Sequence, residues 1–276
     1  MRGILMADLI KAKATICIVN YKTLEFTRLC LRSIRKFTKY PYEVIVVDNN
    51  SNDESLEYLR SLKWIRLIER DTTGDLSGGY SHGAALELGR QNCNTQFFIS
   101  MHSDTFVKHP GWLSELISHF EDDPQIACVG SGKIELTPKW RVWLKKATDF
   151  RTFRRKLFRE PDPTGKYRYY NRTICGLYRT DALIKEGLSF VPDAEKGLTS
   201  GKGLYFELVD RGYKTVELSP SVMAQYIVHL AHATQVINPN EFRLRKRTIK
   251  KCHRLVRKVM SSGGIKSVLE DDSLDK

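Results

Sequence analysis

TICIVNYKTLEFTRLCLRSIRKFTKYPYEVIVVDNNSNDES, residues 15–55, decides the fold. Its first part, with Ala14 added, is a short continuous β-branched run over 14–21, the pattern of a strand buried on both faces. Apolar residues then recur at 26, 29, 30, 34 and 37, which is helical spacing. YEVIVVDNNS (42–51) is a second apolar strand, ending in Asp48, and DESLEYLRSL (53–62) is a helix with acidic residues at its start. Working outward, IRLIER (65–70) is a third strand, a glycine-led helix begins at Gly78, and TQFFISMHSD (95–104) is a fourth strand. Strands alternating with helices predict an α/β fold around a mainly parallel sheet.

The second half is less regular. GWLSELISHFEDD (111–123) reads as helix and IACVGSGKIEL (126–136) as strand. ELVDRGYKTVEL (207–218) gives a helix end, a glycine turn and a strand. Residues 219–240 carry no Lys, Arg, Asp or Glu, a length that would span a bilayer. Pro220, Gln225, His229, His232, Gln235 and Asn238 make the stretch too polar for that, and strands and loops are expected. Residues 241–260 form a basic amphipathic helix with nine Lys/Arg, whose Phe242, Ile249, Cys252, Val256 and Val259 fall near one face. The acidic tail EDDSLDK (270–276) is expected to fray.

Composition narrows the function classes. The 276 residues are 41% hydrophobic, enough for a sizeable core, and the net charge of +13 points to an anionic partner. The six cysteines form no C-x-x-C pair, which argues against a zinc ribbon, and several sit in apolar runs as buried thiols do. A reducing, cytoplasmic setting is expected. Zinc-finger spacing and RNA-binding aromatic signatures are lacking, so nucleic acid is not the expected partner.

In open α/β sheets, ligands bind beyond the carboxyl ends of the strands. Asn20-Tyr21, Asp48 and Asp104 each stand just after a strand and are expected to converge there. The approach to Asp104 is FFISMHSDTFVKHPGWL (97–113), which places one carboxylate at the end of a buried strand.

These blocks, in this order, resemble the family 2 glycosyltransferases, which have the GT-A fold. The likeness runs from TICIVNY through VDNNSND, GDLSGGYSHGAALELG, FFISMHSDTFVKHPGWL and DRGYKTVEL, roughly residues 14–238. It implies an N-terminal extension (1–13), a nucleotide-binding half (14–110), an acceptor-binding half (111–238), and a basic helix with acidic tail (239–276). The implied activity is metal-assisted transfer of a sugar from a nucleotide diphosphate, most commonly UDP, to a glycan or lipid-linked acceptor in polysaccharide synthesis, with inversion as the default. By the same match Val19, Tyr21 and Asp48 lie around the base, and Ser77, Gly78 and Gly79 border the nucleotide. HSD occupies the family's Asp-x-Asp position, so Asp104 would ligate Mn²⁺ or Mg²⁺, with His102 and Ser103 beside the donor. Hard cations of this kind use one or two carboxylates together with substrate phosphates.

The sequence departs from that pattern twice. His102 stands where the pattern has its first aspartate, and imidazole suits Mn²⁺ better than Mg²⁺. The family's Glu-Asp pair, whose Asp is the general base, falls at Ser200-Gly201 when counted back from RGYK. Asp193 and Glu195 are the nearest candidates, with Glu207 expected on a solvated helix face. Either the base has moved to one of them, the enzyme retains configuration, or the chain is a catalytically inactive GT-A-like binder of nucleotide or glycan. VHLAHATQ (228–235) offers a further metal ligand, and His232, followed by small residues, is favoured over His229. The basic, aromatic stretch 139–172 falls where the family builds its acceptor site. The 241–260 helix suits an anionic membrane surface, which would place the protein peripherally at the inner face of a membrane.

Overall fold

The structure is a computed structural model describing residues 10–75, 77–121, 123–132, 158, 170–193, 197–231, 233–242 and 246–276. Glu195, His232 and most of the basic stretch 139–172 therefore lie outside the described residues.

The first half follows the expected order: β1 (Ile10–Asn20), α1 (Leu24–Phe37), β2 (Tyr42–Asp48), α2 (Glu54–Ser61), β3 (Arg66–Glu69), α3 (Gly78–Gln91) and β4 (Thr95–His102). A three-residue β5 (Thr105–Val107), α4 (Trp112–Ser118) and β6 (Ile126–Ser131) come next. After the undescribed stretch stand β7 (Cys175–Arg179), α5 (Thr180–Lys185), α6 (Ser200–Asp210) and β8 (Lys214–Leu218). Among the described residues, seven strands make one sheet in the order β3-β2-β1-β4-β7-β6-β8. Only β7 runs against its neighbours β4 and β6.

The apolar strands are continuous because both faces are covered. Ile16, Ile18, Val44, Val46, Ile99 and Met101 pack into a layer with α1 and α4. The alternate residues Cys17, Val19, Ile45, Val47 and Phe98 pack into the opposite layer with Ala85 and Leu86 of α3. Period-two side-chain alternation thus serves two cores at once. Removing one such buried Leu or Ile side chain costs about 2–5 kcal/mol.

Residues 219–240 differ from the expectation of strands and loops. Pro220–Tyr226 is a helix (α7), started by Pro220 at its first turn and by Ser219, whose hydroxyl accepts from the Val222 amide. β9 (Ile227–His229) follows, then the short helix α8 (Ala233–Ile237). β9 pairs antiparallel with β5 in a two-stranded ladder off the main sheet.

The basic helix is present as α9 (Lys246–Met260), with Cys252 and Val259 buried and Lys246, Arg247, Lys250, Arg254, Arg257 and Lys258 exposed. It leads into α10 (Gly263–Leu269). The tail does not fray. Residues 272–275 form a 3₁₀ turn whose Asp275 accepts from Arg32 Nε (2.9 Å) and Tyr58 Oη (2.8 Å). Charge pairing with a nearly buried arginine on α1 outweighs the tail's polarity. All six cysteines are buried free thiols. Among the described residues, no helix is long and apolar enough to cross a membrane.

Candidate functional site

The ends of β1, β2 and β4 are level. Asn20 is opposite Asp48 and Val19 is opposite His102 in the parallel register, so the three strand ends open onto one edge of the sheet. Asn20 knits that edge together. Its Nδ2 donates to Asp48 Oδ1 (2.6 Å), Ser55 Oγ (2.9 Å) and Ser51 Oγ (3.1 Å). Its Oδ1 accepts from Thr27 Oγ1 (2.7 Å) and Thr23 Oγ1 (3.1 Å), and Thr23 also reaches Ser103 Oγ at 3.3 Å. Asp48 is only 1% exposed, and its second oxygen accepts from the Ser51 amide at 2.9 Å. Its carboxylate therefore holds the loop after β2, while Asn49 next to it joins Arg70 (3.1 Å) and through it Asp75.

Asp104 lies in the turn between β4 and β5 and is 5% exposed. The β5–β9 ladder sets Thr105 opposite His229, and the Leu230 amide donates to the Asp104 carbonyl at 3.1 Å. This carries His229 Nε2 to 3.3 Å from Asp104 Oδ1, while His102 Nδ1 stands 3.9 Å from the same oxygen. The other oxygen, Oδ2, accepts from the Ala233 amide at 3.3 Å. Among the described residues, neither Asp104 Oδ1 nor His229 Nδ1 has a partner at hydrogen-bond geometry, although both atoms are buried. An unsatisfied buried carboxylate oxygen is costly unless a cation answers it.

Asp104, His102 and His229 each present one donor atom within 4.8 Å of the others. One carboxylate oxygen with two imidazole nitrogens is a donor set that divalent transition metals accept, so the residues fit the expected ion. Electrostatics agree. Burial pushes the Asp104 carboxyl up, but the His229 imidazole, with the Ala233 amide, prevails and holds it well below the usual carboxylate range. Burial, reinforced by neighbouring His82, pushes the His102 imidazole down and keeps it neutral.

The sequence favours His232 over His229 as the further ligand; His232 lies outside the described residues, and His229 is the one of the two that they bring to Asp104. No motif in the sequence singles out His82 on α3. The His82 ring stands T-shaped at 4.8 Å from that of His102, and burial pushes its imidazole down to about 4. GGYSHG showed its glycines more plainly than its histidine.

The other expected residues divide into two groups. Ser77 caps α3, its hydroxyl accepting from the Tyr80 amide at 3.2 Å, and Gly78 and Gly79 form the exposed first turn of that helix. Tyr21 donates to Glu241, which also pairs with Lys22 at 2.6 Å, so the segment after α8 crosses the loop after β1. Asp193 is exposed and lines a separate cavity of about 550 Å³ with Ser200, Phe206 and Glu207; neither Asp104 nor either histidine of the cluster lines it.

The family model "Glycosyl transferase family 2" matches residues 15–178. No match to a curated protein was found. Among solved structures, the mannosyltransferase PcManGT from Pyrobaculum calidifontis, in complex with GDP-Man and Mn²⁺, aligns with 14% identity and a TM-score of 0.53, covering 95% of this chain and 69% of that one. Glucosyl-3-phosphoglycerate synthase from Mycobacterium tuberculosis, in complex with Mn²⁺, UDP and glucosyl-3-phosphoglycerate, aligns with 16% identity and a TM-score of 0.52, covering 91% of this chain and 79% of that one. At such identities the likeness establishes the shared GT-A fold. With the model matching more than half of its length, the chain belongs to glycosyl transferase family 2 and is a glycosyltransferase.

Proposed function

We propose that this glycosyltransferase moves a sugar from a nucleotide diphosphate to a hydroxyl of a glycan or lipid-linked saccharide, with inversion at the anomeric carbon. The observation that carries the reading is the buried Oδ1 of Asp104, which has no hydrogen-bond partner among the described residues and is faced by His229 and His102 beside the ends of β1, β2 and β4. Asp104 with His229 and His102 would hold Mn²⁺ or Mg²⁺, which when bound neutralises the charge growing on the departing diphosphate. Tyr21 and the first turn of α3 at Ser77, Gly78 and Gly79 would border the nucleotide. Helix N-termini suit phosphate because their amides point outward. The Asn20–Asp48–Ser51 network keeps the floor of that site rigid, which favours a defined reacting geometry. In the transfer, the acceptor oxygen bonds to the anomeric carbon, the carbon–oxygen bond to the diphosphate breaks, and the electron pair leaves with the diphosphate. The acceptor proton passes to a carboxylate, for which Asp193 and Glu195 are the candidates. UDP is the favoured nucleotide. The protein would work in the cytoplasm, resting its basic α9 against the inner face of an anionic membrane.

Calorimetric titration with UDP, GDP and dTDP, each with Mn²⁺, Mg²⁺ or EDTA, tests the reading. One nucleotide should bind, and EDTA should weaken it. Failure of all three nucleotides to bind under every metal condition would sink it. Binding without turnover on any sugar nucleotide would instead make the chain an inactive binder.

A further inference from the structure

We infer that His102 makes this centre discriminate between divalent metals, favouring Mn²⁺ over Mg²⁺, and that His82 is the positioning residue that holds the His102 ring in place. The inference rests on the reading that Asp104 holds a metal. Of the three donors among the described residues, two are imidazole nitrogens and one is a carboxylate oxygen. Mg²⁺ takes oxygen ligands in a strict octahedron and sheds water reluctantly, whereas imidazole suits the first-row transition metals. An aspartate at 102 would have made the set mostly oxygen.

The surroundings of His102 match a ligating imidazole. Its Nδ1 faces Asp104 Oδ1, so ligation needs the tautomer whose proton is on Nε2. That nitrogen has an acceptor, Thr173 Oγ1, at 3.3 Å. A ligating histidine typically gives its second N–H to such an oxygen, which fixes tautomer and ring together. The backbone is fixed as well, since the His102 amide donates to the Ile174 carbonyl at 3.1 Å. The ring sits between two others, His82 at 4.8 Å and His229 at 5.7 Å, both edge-on. Among the described residues His82 Nε2 is buried without a hydrogen-bond partner, and this residue meets His102 by ring packing. α3 cannot drift from it freely, because the next residue, Gly83, lies against the Phe190 carbonyl, Pro192 and Ser200, where an added Cβ would stand within 2.5–2.6 Å of each.

The test uses the full chain with saturating UDP or GDP. Bound Mn²⁺ is followed by electron paramagnetic resonance, Mg²⁺ is added as competitor, and electron spin echo modulation reads the ¹⁴N nuclei coupled to Mn²⁺. Wild type should show one more coupled imidazole nitrogen than His102→Asp. That substitution should narrow the ratio of Mn²⁺ to Mg²⁺ affinity by about tenfold. His82→Ala should weaken Mn²⁺ by about tenfold, and His82→Phe, which keeps a ring there, should restore most of it. A wild-type echo spectrum with no coupled imidazole nitrogen overturns the role of His102 even if the variant does not fold. An unchanged affinity ratio in a folded His102→Asp overturns it too. Full Mn²⁺ affinity in His82→Ala removes the role of His82. If Mn²⁺ binds with neither nucleotide, the metal assignment in the proposed function falls as well.

Discussion

On the proposed reading Asp104 is the residue on which the chemistry turns, and its burial makes the consequence of changing it specific. Asp104→Asn keeps an oxygen to accept from the Ala233 amide but loses the negative charge that faces His229 and His102. Metal-dependent turnover should fall at least about 100-fold, as expected when several kcal/mol of charge stabilisation disappear. The melting temperature should move by only a few degrees, because the shape is kept. Turnover within about threefold of wild type would refute the assignment. The place of Asp104 at the end of a buried strand was legible from the apolar run before it. The approach of His229 to Asp104 was not, because it depends on a three-residue ladder between β5 and β9. So short a pairing leaves no periodicity in the sequence. His82 was illegible for a related reason: its contact with His102 joins a helix to a strand twenty residues away.

At the scale of elements, the buried parallel strands were the most readable part. Strands covered on both faces must be apolar throughout, and β1, β2 and β4 are. β7 and α5 escaped notice because CGLYRTDALIK (175–185) holds a strand of five residues and a helix of six, too short for either period to show. α7 was misread because a helix of seven residues shows barely two turns of periodicity. α3 carries a testable packing constraint. A methyl group at Gly83 would meet the backbone oxygen of Phe190, which has no rotamer to yield with. Gly83→Ala should therefore cost about 1–3 kcal/mol of overpacking, more than the ~1 kcal/mol that alanine gains in a helix. Urea denaturation reads the balance, and a more stable variant would show that the 190–192 segment gives way.

Across the whole molecule, the C-terminal turn is fastened to α1. Asp275 pairs with Arg32, whose side chain is 7% exposed against 22% for Asp275, and Arg32 also donates to the Leu269 carbonyl. Burial raises the Asp275 carboxyl, but the bonds from Arg32 and Tyr58 prevail and hold it below its ordinary value. A depressed carboxyl contributes stability above the unfolded-state pKa, roughly 3.9, and loses it as pH falls through the folded value. Asp275→Asn should cost about 1–3 kcal/mol at pH 7, with the gap to wild type closing below about pH 4; a gap independent of pH would refute the pairing. The tail looked disposable in the sequence because its partners lie 217 and 243 residues away. The exposed cations of α9 were legible, and their use is open to experiment. Flotation with vesicles rich in anionic lipid should carry the protein at low salt and release it near 0.5 M. Equal binding to neutral vesicles would point away from charge.

The buried thiols turn the molecule into its own clock. Five of the six cysteines belong to the α/β body or its edge, and Cys252 sits under α9. Burial pushes the Cys128 and Cys175 thiols up to about 12, so in the closed state they are both hidden and protonated. A thiol-reactive dye added to the folded protein can therefore report only on opening. Cys252 labelled ahead of the other five would time the lifting of α9, and the rest, labelled together, would time global unfolding. Native residues alone thus separate the two motions, with no added probe.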